Sequence, residues 1–207
     1  DIQNAADPYA NKTIYLFFGG FLIATAIQKW DLHKRIALFV LENAGSNGAS
    51  LIFGFMLTAA VISMWVMNTA TTIMLLPIGL AVVSVVKTTV NYLSDEDIES
   101  FQLALLLGIA YGATIGGMST LIGTGPNGML AAFMSDNYGL DISFVDWMKV
   151  GVPLSAVMLP CSWFILTKVI FKVNFETSSE TKELLSSMKD ELGSLKGPEL
   201  KVLIVFF

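Results

Sequence analysis

Residues 43–86 read NAGSNGASLIFGFMLTAAVISMWVMNTATTIMLLPIGLAVVSVV, 44 positions without a formal charge. A helix crossing a hydrocarbon core of about 30 Å needs roughly 20 apolar residues, so this run holds two segments. Its centre, Met67-Asn68-Thr69-Ala70-Thr71-Thr72, carries amide and hydroxyl groups where apolar residues belong. It also lacks the charge, glycine or proline of a solvated turn. The arms on either side, Leu51–Val66 and Ile73–Val86, extend roughly 24 Å and 21 Å as helices, each short of the core. The expected structure is a re-entrant helical hairpin with its tip inside the membrane. Irregular backbone survives at that depth only when it is buried in protein or lines a cavity.

Working outward, a second charge-free run, Ser100–Ser135, has 36 residues and is again too long for one straight helix. Its middle, Gly116 to Gly128, holds five glycines and Pro126, which cannot all remain helical. One half-helix should end near Ile115 and another begin near Pro126, since proline suits a first helical turn. Thr13–Gln28 reads as a plain span, and Val150–Thr167, with Pro153 and Pro160, as a kinked one. Between Asn174 and Gly197 the chain turns polar, with Leu184, Leu185, Met188, Leu192 and Leu195 at helical spacing, the pattern of an amphipathic helix on the membrane surface. The polar start at Asp1 and the apolar run that closes the chain suggest a piece of a larger membrane protein.

These readings give an all-α, polytopic membrane protein. The parts are a polar segment, span and basic cytoplasmic loop (1–42), the hairpin and its cytoplasmic link (43–99), the broken helix (100–135), the kinked span (136–173), the interfacial helix (174–200) and the start of a further span (201–207). Composition agrees: of 207 residues 54% are hydrophobic and 14% charged, against about 25% charged in soluble domains. If the first span runs inward, ten Lys and Arg lie on inner segments and only Lys12 and Lys149 on outer ones, a positive-inside bias that fits a multi-pass protein of the inner or plasma membrane. A net charge of −5 removes the basic face that nucleic-acid binding asks for. The single cysteine, Cys161, forms no intrachain disulfide and reads as a small core residue.

The chemistry on offer is neutral. The hairpin tip holds Ser63, Asn68, Thr69, Thr71 and Thr72, and the helix break holds Ser119, Thr120, Thr124 and Asn127. Such oxygens suit a hard alkali cation, while half-helix N-termini suit an anion. Neither break contains Lys or Arg. An anionic substrate would therefore depend on co-bound cations and helix dipoles, since desolvating an unpartnered carboxylate costs several kcal/mol. Broken helices at membrane depth are a recurring architecture of transporter sites. No His or carboxylate lies in either break, so an intramembrane enzyme lacks its base. A channel remains the alternative, although it would favour rings of like groups about an axis. A second alternative is that Asn, Thr and Gly serve helix packing alone.

At these residues a resemblance enters. Ser63-Met64-Trp65-Val66-Met67-Asn68-Thr69-Ala70-Thr71-Thr72 resembles the tip of the first re-entrant hairpin in the divalent anion/sodium symporter (DASS) family, whose core reads Ser-Asn-Thr. Gly116-Gly117-Met118-Ser119-Thr120-Leu121-Ile122-Gly123-Thr124-Gly125-Pro126-Asn127 is similar to that family's broken helix, and Phe18-Gly19-Gly20-Phe21 with Trp30 to Leu38 resembles the helix before the hairpin. The resemblance implies half of an inverted-repeat, elevator-type, homodimeric transporter carrying dicarboxylates, citrate or sulfate with sodium. It implies that Ser63 and Asn68 give side-chain oxygens to a sodium ion, with backbone carbonyls near Met67 and Gly123. Asn68, Thr69, Thr124 and Pro126 would meet the substrate. Met67 stands where the family usually has serine, and no second Asn-Thr tip occurs, so the chain would hold half a site.

Overall fold

The computed structural model describes residues 12–206 except Ser46, Leu195 and Lys196. The polar stretch before Lys12, and Leu195 of the amphipathic pattern, lie outside the described residues. The chain forms α1 (Lys12–Lys29), α2 (Leu32–Glu42), α3 (Gly48–Ser63), α4 (Asn68–Thr89), α5 (Asp95–Gly117), α6 (Gly125–Tyr138), α7 (Phe144–Phe164, continuing as a π-helical turn over Ile165–Ile170), α8 (Ser179–Glu191) and α9 (Gly197–Phe206). Among the described residues there is no strand, only an isolated bridge between Asn47 and Glu176. Among the described residues three helices are long and apolar enough to cross a membrane: Asn68–Thr89, Asp95–Gly117 and Phe144–Ile170.

Helix α3 is the centre. Twelve of its 16 residues are buried, against seven of 22 in α4, so α3 is enclosed by protein and α4 keeps an apolar outer face. Ile73, Leu76 and Leu80 on that face are exposed, as suits a lipid-facing surface. The tightest packing is between α3 and α5 and is licensed by glycine spacing. A Cβ on Gly112 would meet the Met56 backbone, and one on Gly116 would meet the Ala60 backbone. Glycines four apart allow two helix backbones to approach this closely.

Several caps set the element ends. The Asn47 side chain accepts from Ser50 N–H at 2.7 Å to start α3. Ser94 and Asp97 form a reciprocal capping box at the start of α5, which explains the acidic cluster after Ser94 as a helix start. The boundary placed between 99 and 100 therefore falls inside α5, and that between 200 and 201 falls inside α9.

The hairpin departs from its reading in one respect. The first arm is a 16-residue helix as the short-arm reading required, but the second absorbs Asn68 to Thr72 into its opening turns and reaches 22 residues. At about 1.5 Å per residue, α4 is long enough to cross, so length restrains only the first arm. Both ends of the hairpin nevertheless lie together. Gly48 N–H donates to Phe175 O at 2.9 Å, beside the start of α3. Thr89 Oγ1 and Ser178 Oγ share a hydrogen bond of 2.7 Å at the end of α4. Segment 173–178 spans the gap between them.

Other differences are local. Helix α7 continues through Pro153 and Pro160 and widens to the π turn only afterwards. Cys161 is exposed on α7 rather than in the core. The amphipathic helix packs on α2 and α4, with Leu185 buried and Leu184, Met188 and Leu192 against the core. Arg35 of α2 donates to the Leu192 and Gly193 carbonyls just past α8 and pairs with Glu199 at 3.2 Å. Lys189 pairs with Glu42. His33 is buried, with Nδ1 3.3 Å from the Ile27 carbonyl, and burial pushes its pKa below the ordinary value despite that carbonyl and Asp31.

Candidate ion and substrate site

Residues 64–67 leave α3 and turn into α4, with Met67 as the N-cap. The turn brings Ser63 and Asn68 together: Ser63 Oγ donates to Asn68 Oδ1 at 2.8 Å. Ser63 is fully buried and Asn68 partly so, while Met67 and Thr69 are exposed. The Met67 carbonyl accepts from Thr71 N–H at 3.0 Å, so one of its lone pairs is engaged by the first turn of α4. Thr72 Oγ1 donates to Asn68 O at 2.9 Å, a bond within the helix.

The break comes to this tip from the other side. Helix α5 ends at Gly117, and α6 starts at Gly125 with Pro126 in its first turn. A Cβ on Gly117 would collide with Asn68 Oδ1. One on Gly123 would lie 2.5 Å from Gly117 O and 2.9 Å from Ser63 O. Glycine is needed at both positions because the tip occupies the space a side chain would take. Ser63, Asn68, Gly117 and Gly123 are thus packed as one group. Thr124, the half-buried N-cap of α6, and the exposed Pro126 lie on the outer side of the break. Of the residues read as cation ligands, Ser63 and Gly123 are buried, Asn68 is partly buried and Met67 is exposed, while Thr69 and Pro126, read as substrate contacts, are exposed and Thr124 is half-buried.

Two further side chains hold the break. Thr120, fully buried, donates from Oγ1 to Met64 O at 2.5 Å and accepts from Gly123 N–H at 3.0 Å. Buried Asn127 donates both amide hydrogens, to Gly117 O at 2.9 Å and to Thr120 O at 2.7 Å. Helix α7 closes the back: Trp147 Nε1 donates to Met118 O, Ser155 Oγ to Ile115 O, and Ser119 Oγ to Ser155 Oγ. Carbonyls freed where a helix stops need such donors, because a buried unpaired group costs about 1–3 kcal/mol. Sequence reading offered Thr120 and Asn127 among the neutral ligand groups of the break, whereas in the structure their side chains bond to backbone groups. Their signal was a polar residue within a glycine-rich run, which does not say whether it faces a ligand or a backbone.

Along the bundle, Gly20 in the middle of α1 abuts Ile122, and Phe17 covers Gly128. Among the described residues no cluster of His, Cys, Asp or Glu could hold a metal ion, so the donors at this junction are neutral oxygens.

An apolar helical bundle with a neutral oxygen cluster where a hairpin meets a broken helix is an architecture that recurs among membrane transport proteins. The chain belongs to the family described as the sodium:sulfate symporter transmembrane region, whose family model matches residues 1–207. It is 38% identical over 205 residues to the sodium-dependent dicarboxylate transporter SdcS of Staphylococcus saprophyticus, covering 99% of this chain and 40% of that protein. It is 35% identical over 205 residues to the protein of the same name from Staphylococcus aureus strain USA300, covering 99% and 39%. The chain thus spans about two-fifths of the length of these curated relatives.

Proposed function

We propose that the chain is the N-terminal part of a sodium-coupled symporter of dicarboxylates or related divalent anions. The observation that carries this reading is the meeting of the Ser63 and Asn68 oxygens at 2.8 Å, packed on Gly117 and Gly123 with no cationic side chain in either break. A sodium ion entering here replaces the Ser63–Asn68 hydrogen bond: the hydroxyl hydrogen turns away, and both oxygens present lone pairs. The Gly123 carbonyl and the second lone pair of Met67 O add backbone donors. Hard cations favour such oxygen sets.

The substrate occupies the outer side, against Asn68, Thr69, Thr124 and Pro126. There the N-termini of α4 and α6 offer partial positive charge to a carboxylate. Bound sodium supplies the full charge that the side chains lack, which makes anion affinity depend on sodium. The break that packs on the hairpin tip abuts the midpoint of α1, in support of a re-entrant hairpin with its tip near mid-membrane. The missing half of the site comes from an inverted repeat elsewhere in the full-length protein, which works as a homodimer by elevator-type motion.

The test is uptake of a labelled dicarboxylate by the full-length protein in vesicles. Saturable uptake driven by an inward sodium gradient is the expected result. Equal uptake when choline replaces sodium overturns the reading.

A further inference from the structure

The cation donors proposed above come from two elements far apart in sequence, Ser63 and Asn68 from the hairpin and Gly123 from the helix break. A coordination shell must be held to within about 0.5 Å to bind well, so something has to keep the two elements in register. We propose that Thr120 is the positioning residue that does so, and that its hydroxyl sets sodium affinity without touching the ion. This inference rests on the proposed sodium site.

The geometry is a one-oxygen bridge. Thr120 Oγ1 gives its single hydrogen to Met64 O, the carbonyl of the residue that follows Ser63. The same oxygen accepts from the N–H of Gly123, the residue whose carbonyl is offered to the ion. Hydroxyl, carbonyl and amide are thereby all engaged, and Thr120 is completely buried. A hydroxyl is the side chain suited to this place, because it can donate and accept through one atom. Asn127 reinforces only one side of the junction: its bonds to Gly117 O and Thr120 O stay within the break. Thr120 is the member of the pair that reaches the hairpin.

Replacing the hydroxyl by a methyl keeps the shape but unpairs Met64 O and Gly123 N–H. The peptide units on both sides of the sodium shell are then free to rotate towards other partners. The substrate surface, formed by Thr69, Thr124 and the two helix starts, keeps its own bonds.

The experiment uses the full-length protein reconstituted in vesicles, with the sodium dependence of labelled dicarboxylate uptake as readout. Thr120→Val is expected to raise the sodium concentration for half-maximal uptake by about tenfold to a hundredfold. The substrate KM at saturating sodium should change by less than about threefold. Thr120→Ser, which keeps the hydroxyl, should restore sodium dependence to near wild type. A role confined to general stability would lower the maximal rate in both variants and leave the sodium midpoint alone, and that result overturns the proposal. If Thr120→Val does not fold, Thr120→Cys, a weaker donor of similar size, must still shift the sodium midpoint; an unchanged midpoint overturns the proposal. Sodium-independent uptake by the wild type would instead overturn the sodium site itself, and this inference with it.

Discussion

Ser119, Thr120, Asn127, Trp147 and Ser155 close the helix break with neutral hydrogen bonds to backbone carbonyls or to one another, whereas Arg35, Glu42, Lys189 and Glu199 tie α2, α8 and α9 together in a layer of full charges. The division follows the solvent. At membrane depth a charged pair must recover a desolvation penalty of several kcal/mol per ion, while neutral donors satisfy orphaned carbonyls without it. In the charged layer the part-exposed Lys189–Glu42 pair stays hydrated and contributes little, whereas Arg35–Glu199 is largely buried and Arg35 is further held by the Leu192 and Gly193 carbonyls. A bound cation would bring the first full charge to the inner level. That asymmetry is what lets an ion organise the inner level strongly.

The largest effect is expected where the close packing beneath the neutral level is disturbed. Gly116→Leu places a side chain into the Ala60 backbone, where neither partner can give way. We expect loss of monodisperse protein after detergent extraction, read by size-exclusion chromatography; a Gly116→Leu protein that elutes and melts like wild type refutes the close α3–α5 packing.

Asn68→Ala should leave the fold intact yet remove one of the two side-chain oxygens at the tip. Transport should fall by roughly one to two orders of magnitude at sub-saturating sodium. Wild-type sodium-dependent uptake by a well-folded variant would take Asn68 out of the site.

His33 probes the charged layer. Its folded pKa is held below the unfolded value of 6.5, chiefly by burial. Above that pH both states are neutral and the group contributes no pH dependence. As pH falls from about 6.5 through the lower folded value, the unfolded chain gains a proton that the folded chain resists, and stability declines. Thermal unfolding between roughly pH 7 and 5 should show a decline that His33→Gln reduces. Parallel curves for the two proteins would contradict it.

The smallest effect is expected at the Lys189–Glu42 pair, whose side chains are 41% and 33% exposed. Lys189→Met should cost under about 1 kcal/mol, less still in high salt. A loss of several kcal/mol, measured by chemical denaturation, would mean that the layer is not a solvated interface.

Part of the junction between hairpin tip and helix break was legible from residue types. Ser63, Asn68 and Gly123 stood out because polar or helix-breaking residues interrupt apolar runs, and the structure brings them together. The roles of Thr120 and Asn127 were not, since a hydroxyl in a glycine-rich stretch looks the same whether it faces an ion or a carbonyl 56 positions away. The length of α4 was also misread. Asn68 to Thr72 looked like a loop by polarity, but Met67 caps the helix and Thr72 returns its hydroxyl to Asn68 O, so the polar cluster is a helix start.

Residue order alone was enough to establish the membrane class, the two polar interruptions and the neutral chemistry of the tip. These depend on where charge is missing, and the cost of charge in hydrocarbon is a local property that composition reveals. Folding in three dimensions fixed which carbonyl each buried hydroxyl answers, which glycines touch another helix's backbone, and that α8 packs on α2 and α4. Those outcomes depend on distances between residues remote in sequence. Hydrogen-bond pairing at such distances is settled when α3, α5 and α7 pack, because only then does each orphaned carbonyl at the break meet the donor that satisfies it.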